Sequence, residues 1–335
     1  MSNIQKFSPI FYDYIWLDSN RQLRSKHRIL YEDDGFSINS KVPEWNYDGS
    51  STGQASIDGN TEIILKPVYI QKISEKYYNR VLCDIYDIDG NPLSHRQKAV
   101  EYFSRPEVIE EDPWFGLEQE FYLIPKDSSF EFSNLETKNE YCFVNRNGIE
   151  RQIISEMRLQ CLSYSIKITG FNAEVAPYQW EFQILGKGVQ ICDQLYMVRY
   201  ILDTIAEKYN YKVVYDPKPY KNISGSGCHV NFSTKSSRTS DIGYNVLEKY
   251  IDNFKQNHMK LVECCSQQNK ERLTGKCETA KWDTFSWGVG TRNTSIRVPN
   301  DTFKNKCGYL EDRRPGADID PYLYLMAMCQ IALDN

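Results

Sequence analysis

Three segments of this chain alternate between apolar and polar residues, and their polar positions carry carboxylates or a histidine. Glu118 and Glu120 lie two residues apart, Glu181 is flanked by aromatic residues, and His229 is flanked by apolar ones. Because successive side chains of a β-strand point to opposite faces, each segment would bury its apolar side and present its polar side. We therefore expect strands whose polar faces converge in one sheet.

Two further acidic residues, Glu174 and Glu311, stand in similar short motifs, which gives five carboxylates and one histidine. Hard cations such as Mg²⁺ and Mn²⁺ prefer oxygen ligands, with an occasional imidazole. This residue set suggests a multi-metal site that handles phosphate.

Each pattern also has an ordinary structural explanation. Glutamate alternating with apolar residues is typical of any half-solvated antiparallel strand, and a lone histidine is more often structural than a ligand. The flanking residues favour a site. Gly225 and Gly227 permit close approach of the backbone, and Arg313 and Arg314 supply guanidinium groups that bind anions.

The sequence pattern changes near residue 95. Short alternating segments at residues 11–17, 62–65 and 80–85, separated by turns, predict a small, mostly β domain. Helical patterns follow at residues 94–103, 151–163, 192–209 and 244–264, with Ser94 as the cap of the first. The polar, irregular stretch 126–147 is interpreted as a surface excursion.

Seven different motifs lie between about residue 15 and about residue 320. They are residues 44–54, 113–120, 172–183, 225–235, 272–275, 292–299 and 309–315. In this order they resemble the motifs of glutamine synthetase of the eukaryotic type, the glutamate–ammonia ligase family. The resemblance implies an α+β fold. It comprises a β-grasp-like N-terminal domain, residues 1–95, and a larger catalytic domain, residues 96–335, with a curved antiparallel sheet flanked by helices.

The resemblance implies ATP-dependent ligation of ammonia to L-glutamate through a γ-glutamyl phosphate intermediate, giving glutamine, ADP and phosphate. It also implies about two to three Mg²⁺ or Mn²⁺ ions per site. The implied ligands are Glu120, Glu174 and Glu181 on the glutamate side, and Glu118, His229 and Glu311 on the ATP side.

Substrate-binding residues carry over from the same motifs. The implied glutamate-binding residues are Glu174, Ser224, Gly225, Arg272, Arg292 and Arg314. The implied ATP-binding residues are Trp114, Asn231, Ser233, Arg238, Arg297, Tyr309 and Arg313. For any single arginine, a surface ion pair is an equally good explanation.

The implied catalytic residues are Asp48, Ser51, Glu278 and Arg297. Asp48 would reach from a neighbouring subunit to bind and deprotonate ammonium, and Glu278 would close over the site and exclude water. Asp-Gly-Ser is also one of the commonest turn sequences. A residue acting between subunits requires a homo-oligomer, which in the eukaryotic family is a decamer of two stacked pentameric rings.

The chain departs from the family pattern at several positions. Cys277 replaces a histidine, Glu271 an arginine, Ser224 an asparagine and Ile223 a tryptophan, and residues 148–152 are altered. The Glu271 change would reverse a charge close to the substrate. We expect a working enzyme with weaker glutamate binding.

Composition agrees with a soluble enzyme, since the 335 residues are 41% hydrophobic and 25% charged. A net charge of -5 without clustered basic residues argues against nucleic acid as a partner. No apolar run approaches the ~20 residues that span a bilayer, so we expect no membrane association and a cytoplasmic location. The ten cysteines are expected to be reduced and mostly buried, with Cys264 and Cys265 in a helix.

Two rival functions remain open. One is a ligase that joins glutamate to an organic amine, which would need a wider and less anionic ammonium pocket. The other is a catalytically silent assembly protein of the same fold. It is disfavoured because a dense carboxylate cluster costs stability when no metal is bound.

Overall fold

A computed structural model describes residues 9–37, 39–73, 78–127, 139–144, 148–221 and 223–334. The chain divides into two compact units, Met1–Gln97 and Lys98–Asn335. The assignment of residues 1–95 and 96–335 to separate functional domains stays a prediction.

The first unit contains a mixed five-stranded sheet in the order β2-β1-β5-β4-β3. Its strands are β1 (Pro9–Leu17), β2 (Leu23–Tyr31), β3 (Trp45–Asp48), β4 (Glu62–Ile73) and β5 (Tyr78–Tyr86). The central β1–β5 pair is parallel and the other pairs are antiparallel, consistent with the β-grasp-like expectation. Every second residue of β1, from Ile10 to Trp16, is buried in the core of this unit.

The predicted strands of this unit fall within β1, β4 and β5. Strand β4 continues to Ile73 instead of ending at residue 65. The register shifts between Pro67 and Tyr69, and such a bulge lets a strand accommodate a proline, which lacks the N–H that a ladder uses.

The second unit contains an eight-stranded sheet in the order β11-β12-β13-β10-β6-β8-β7, with β9 pairing with β6. Its strands are β6 (Trp114–Pro125), β7 (Ile168–Ala173), β8 (Gln179–Lys187), β9 (Tyr211–Val214), β10 (Cys228–Ser233), β11 (Trp287–Val289), β12 (Ile296–Val298) and β13 (Leu310–Asp312). The pairs are antiparallel except for the parallel β11–β12 pair at one edge. The predicted α+β class with an antiparallel sheet is confirmed.

Helices precede and alternate with these strands along the chain. They are α1 (Arg96–Phe103), α2 (Pro106–Glu111), α3 (Gly148–Ser163), α4 (Gly188–Lys208), α5 (Lys235–Arg238), α6 (Gly243–Gln256), α7 (His258–Glu263), α8 (Asn269–Arg272), α9 (Asn300–Asn305) and α10 (Pro321–Leu333). Helix α4 is buried along most of its length and packs on β6 and β8. Arg199 of α4 donates to Gln119 Oε1 from Nε (2.9 Å) and Nη2 (2.6 Å), so the odd-numbered residues of β6 face the helices. The even-numbered residues therefore face the open side.

The predicted helices are present, with two differences. Ser94 Oγ accepts a hydrogen bond from Arg96 N (3.1 Å) at the start of α1, as expected of a cap. The pattern at 244–264 forms two helices, because the helical conformation is interrupted at Asn257, between α6 and α7. The placement of Cys264 and Cys265 in a helix is wrong, since both lie in the turn after α7.

All ten cysteines are free thiols, and five of them are buried. Among the described residues, each helix is too short or too polar to cross a membrane. Much of the predicted surface excursion at 126–147 lies outside the described residues.

Candidate active site

The open face of the eight-stranded sheet carries most of the predicted metal ligands. On β6, Glu118 pairs with His229 of β10, and Glu120 pairs with Glu181 of β8. Glu311 lies on β13, the next strand beyond β10. Residues paired directly across neighbouring strands project to the same face, so these side chains meet above the sheet.

The ligand atoms form two groups of three, each with its atoms within 4.8 Å of one another. The two groups are Glu118, His229 and Glu311, here the first triad, and Glu120, Glu174 and Glu181, the second triad. Glu174 joins from the turn after β7. The structure therefore brings together the same two sets that the resemblance implied, while their role as ligands stays a prediction.

Amide groups orient three of these carboxylates. Glu118 Oε1 accepts from Asn231 Nδ2 (2.7 Å), and Glu181 Oε1 accepts from Gln183 Nε2 (2.6 Å). Glu120 Oε2 accepts from the Gly227 backbone N–H (2.7 Å).

Two arginines hold Glu311, which is 2% exposed. Arg297 Nη1 donates to Glu311 Oε2 (2.9 Å) and Arg313 Nη1 donates to Glu311 Oε1 (2.5 Å). Arg297 lies within β12. Its Nε is buried and finds no acceptor among the described residues, so one charged donor is left over beside the first triad.

Burial makes the second triad hard to ionise. Burial raises the pKa of Glu120 to about 8, and the neighbouring Glu174 adds to the shift. Burial raises the pKa of Glu181 to about 9, with three nearby carboxylates adding to it. Burial also lowers the pKa of His229 well below its usual value, which leaves a neutral imidazole. These carboxylates cannot all carry charge unless a cation offsets it.

Glycines let the loop before β10 approach the site closely, as predicted. A Cβ added at Gly227 would lie 2.5 Å from Arg272 Nη2 and 2.7 Å from His229 Nε2. One added at Gly225 would lie 2.4 Å from the Pro217 carbonyl oxygen. Both positions exclude any larger residue without displacement of the backbone or the site.

A cavity of about 330 Å³, here the larger cavity, opens beside Glu118. Its lining includes five residues predicted to bind ATP, namely Trp114, Asn231, Ser233, Arg238 and Tyr309. Arg297 lies on a neighbouring strand beside Glu311 and is outside this lining.

A second cavity of about 40 Å³, here the smaller cavity, adjoins Glu120 and is lined mostly by polar groups. Its lining includes four residues predicted to bind glutamate, namely Glu174, Ser224, Gly225 and Arg272, together with Glu278 and Arg313. Arg272 is 4% exposed, and its Nη2 donates to the carbonyls of Arg313 (3.0 Å) and Pro315 (3.1 Å). Its guanidinium therefore also holds the segment that follows Glu311.

Arg314 does not reach either cavity, and its prediction as a glutamate-binding residue is wrong. Its Nε and Nη2 donate to Asp312 Oδ1 (2.9 Å) and Oδ2 (2.6 Å), and it is 1% exposed. Arg313 instead lines the smaller cavity on the same side as Glu311. The two-residue alternation from Glu311 to Arg313 is the signal that sequence reasoning missed.

Known proteins resemble nearly the whole chain. The family model described as "Glutamine synthetase, catalytic domain" matches residues 89–334. This chain belongs to the glutamine synthetase family. A provisionally named glutamine synthetase of Acanthamoeba polyphaga mimivirus is 42% identical over 95% of this chain and 94% of its own length. Glutamine synthetase N-1 of Phaseolus vulgaris is 40% identical over 96% and 93%, and cytosolic isozyme 1-1 of Oryza sativa subsp. japonica is 40% identical over 94% and 91%.

Family membership makes the chain an enzyme of the glutamate–ammonia ligase class. Both triads and both cavities lie within the region that matches the glutamine synthetase catalytic domain.

Glu278, the residue predicted to close over the site, lies at the smaller cavity in an unusual backbone conformation. Cys277 and Glu278 have φ values of 51° and 62°, which non-glycine residues seldom adopt. Glu278 Oε1 accepts from Arg292 Nη1 (2.9 Å), and both side chains are nearly half exposed. Arg292 thus contacts Glu278 and is outside the lining of the smaller cavity.

Tyr141 is a neighbour of the site that sequence reasoning missed. Its ring centroid lies 5.5 Å from the Arg292 guanidinium carbon, within range of a cation–π contact. It belongs to the stretch interpreted as a surface excursion. The aromatic side chain of Tyr141, within an otherwise polar stretch, could have indicated a contact with the site.

Asp48 and Ser51 lie in the first unit, at the turn Gly49–Thr52. Asp48 Oδ1 accepts from Ser50 N (3.0 Å) and Ser50 Oγ (2.7 Å), and Ser51 Oγ donates weakly to Oδ2 (3.5 Å). The hydrogen bonds from Ser50 lower the pKa of Asp48, whose side chain is exposed. Asp48 therefore does cap a turn, and its role toward ammonium stays a prediction.

The departures from the family pattern differ in position. Ser224 and Cys277 line the smaller cavity, whereas Ile223 is buried against Tyr122 and its neighbours. Glu271 is exposed and outside that lining. The effect of its reversed charge on substrate binding stays a prediction.

Proposed function

We propose that this protein joins ammonia to L-glutamate, using ATP, through a γ-glutamyl phosphate intermediate. The observation that carries the proposal is the position of the two triads, which share one face of the sheet and adjoin the larger cavity at Glu118 and the smaller one at Glu120. A nucleotide in one cavity and glutamate in the other would meet above the carboxylates.

The residues present fit divalent cations. Each triad supplies oxygen or imidazole donors only, and burial together with the neighbouring carboxylates raises the pKa of Glu120 and Glu181. Bound Mg²⁺ or Mn²⁺ would offset the charge of the carboxylates and of the ATP phosphates. We propose about two to three ions per site.

The first step is transfer of the γ-phosphoryl group. An oxygen of the glutamate side-chain carboxylate attacks the γ-phosphorus of ATP, and ADP leaves. Arg297, with its unpaired Nε, and Arg313 flank Glu311 and are placed to offset charge on the transferring group. Arg272 and Arg313 would hold glutamate in the smaller cavity.

The second step forms the amide bond. Asp48 of a neighbouring subunit would take a proton from ammonium. The resulting ammonia would attack the carbonyl carbon of the acyl phosphate, and phosphate would leave with a second proton from the nitrogen. Glu278, at the smaller cavity, would exclude water while the intermediate exists.

This scheme requires a homo-oligomer, for which we propose the decamer of two stacked pentameric rings, and we place it in the cytoplasm. The named relatives include cytosolic isozymes.

The test measures phosphate release from ATP with Mg²⁺ and glutamate, with and without ammonium. We expect release to require ammonium, to equal glutamine formation, and to collapse in Asp48→Ala but not in Asp58→Ala, which removes another exposed aspartate of the same unit. Replacing ammonium by ethylamine tests the organic-amine ligase. Faster turnover with ethylamine, or no phosphate release with Mg²⁺ or Mn²⁺, would contradict the proposal.

A further inference from the structure

Asp112 lies behind one end of the larger cavity, where its carboxylate joins side chains from three other elements. Trp114 Nε1 donates to Asp112 Oδ2 (3.0 Å), Lys187 Nζ donates to Oδ1 (2.6 Å), and Arg238 Nη2 donates to Oδ2 (3.0 Å). These donors come from the start of β6, the end of β8 and helix α5.

Two of the three partners line the larger cavity, namely Trp114 and Arg238. Arg238 Nη1 also donates to Ser233 Oγ (3.0 Å), which is another lining residue. Lys187 Nζ lies 4.6 Å from the centroid of the Trp114 ring. Asp112 therefore holds the indole edge directly, and through Lys187 it also holds the cation beside the ring.

We propose that Asp112 is a positioning residue for nucleotide binding, which orients Trp114 and Arg238 at one end of the larger cavity. This inference rests on the proposed function, in which that cavity binds ATP. Asp112 itself is outside the cavity lining, so it acts through its partners. Its effect should be confined to the nucleotide, because the smaller cavity shares none of these residues.

Asp112→Asn is the appropriate change. Asp112 caps the C-terminus of α2 with φ 47°, a left-handed conformation that asparagine also tolerates. Asparagine keeps one acceptor oxygen but loses the charge, so it cannot hold three donors, two of them cations. Exposed ion pairs contribute little to stability, so the fold should remain.

The matched control is Glu156→Gln. Glu156 of α3 also holds a lysine, with Lys208 Nζ 2.8 Å from Oε2, and accepts from Tyr209 OH (3.1 Å). It is outside the lining of both cavities.

The experiment measures KM for ATP, KM for glutamate and kcat in wild type, D112N and E156Q, with ATP binding by calorimetry. We expect D112N to raise KM and Kd for ATP about tenfold, with KM for glutamate within about twofold of wild type. E156Q should match wild type in all three constants.

An unchanged KM for ATP in D112N, or an equal rise for ATP and glutamate, overturns this inference but leaves the proposed function standing. Wild type that binds no ATP overturns the proposed function and this inference with it.

Discussion

Glu118 and His229 face each other across the β6–β10 pair, with Glu118 Oε2 3.4 Å from His229 Nδ1. Burial lowers the pKa of His229, so near neutral pH the imidazole is uncharged and the contact is not an ion pair. A carboxylate and a neutral imidazole at this distance are both free to donate electron pairs to a cation. The same pairing principle places Glu120 opposite Glu181.

Loss of one triad should remove one class of metal site and leave the other. In Glu311→Gln we expect Mn²⁺ bound per chain, measured by electron paramagnetic resonance, to fall by about one ion. Glu181→Gln should remove a different ion, and both variants should lose at least about a hundredfold in kcat. Glu156→Gln is the control. Full Mn²⁺ binding in both triad variants would contradict the assignment of ligands.

Without metal, stability should fall as pH rises. The pKa of Glu120 and Glu181 is raised from 4.5 to about 8 and about 9 in the folded chain, so the folded chain binds more protons than the unfolded chain between these values. The free energy of unfolding then decreases with pH from about 4.5 to about 9, by at most ~1.4 kcal/mol per pH unit and group. Urea unfolding in EDTA at fixed protein concentration measures it.

The matched variant is Glu181→Gln, which carries no charge at any pH. Relative to wild type in EDTA, it should gain stability as pH rises from 6 to 9, and saturating Mg²⁺ should remove that advantage. If the difference in free energy of unfolding between Glu181→Gln and wild type stays constant from pH 6 to 9, this prediction is wrong.

Asp48 should act between subunits. Asp48→Ala and Glu311→Gln should each be inactive alone. If every site combines Asp48 of one chain with Glu311 of another, a randomly mixed oligomer from coexpression should have about a quarter of its sites intact. The measurement is glutamine formation by the purified mixed oligomer. An inactive mixed oligomer would argue that both residues serve the same chain's site.

Two substitutions at the smaller cavity should improve glutamate binding. Cys277→His and Ser224→Asn restore the residues typical of the family, and both positions line that cavity. We expect KM for glutamate to fall about three- to tenfold in the double variant, as gained hydrogen bonds would produce. Glu271→Arg is the control, and it should leave KM unchanged because Glu271 is exposed outside the cavity. A fall in KM with the control alone would reverse this interpretation.

Substitutions of the adjacent residues Arg313 and Arg314 should have different effects, the first on catalysis and the second on stability. Arg314→Met removes the cationic partner of Asp312, which is fully buried, so we expect a loss of about 3–5 kcal/mol in the free energy of unfolding. Arg313→Lys should change stability little and lower kcat/KM at least about tenfold, because lysine cannot reproduce the guanidinium fork. Unfolding curves and steady-state kinetics of both variants give the comparison.

Much of the candidate site could be predicted from the sequence. Alternation places Glu118 and Glu120 on one face, and the motifs supply all six members of the two triads. Sequence reasoning failed at Arg314, where a motif match was followed in place of the alternation that begins at Glu311. It also missed Tyr141, because the contact of this residue with Arg292 joins segments that are distant in sequence.

The sequence by itself determined the family, the α+β class and the identity of the acidic residues, since these follow from local order and two-residue periodicity. Only the tertiary structure decided which residues become neighbours. Because β6 pairs with both β8 and β10, the ligands form two triads. Asp112 accepts hydrogen bonds from Trp114 and Arg238 at one end of the larger cavity. The physical reason is that burial, and with it the raised pKa of Glu181, is a property of packing between strands far apart in the chain.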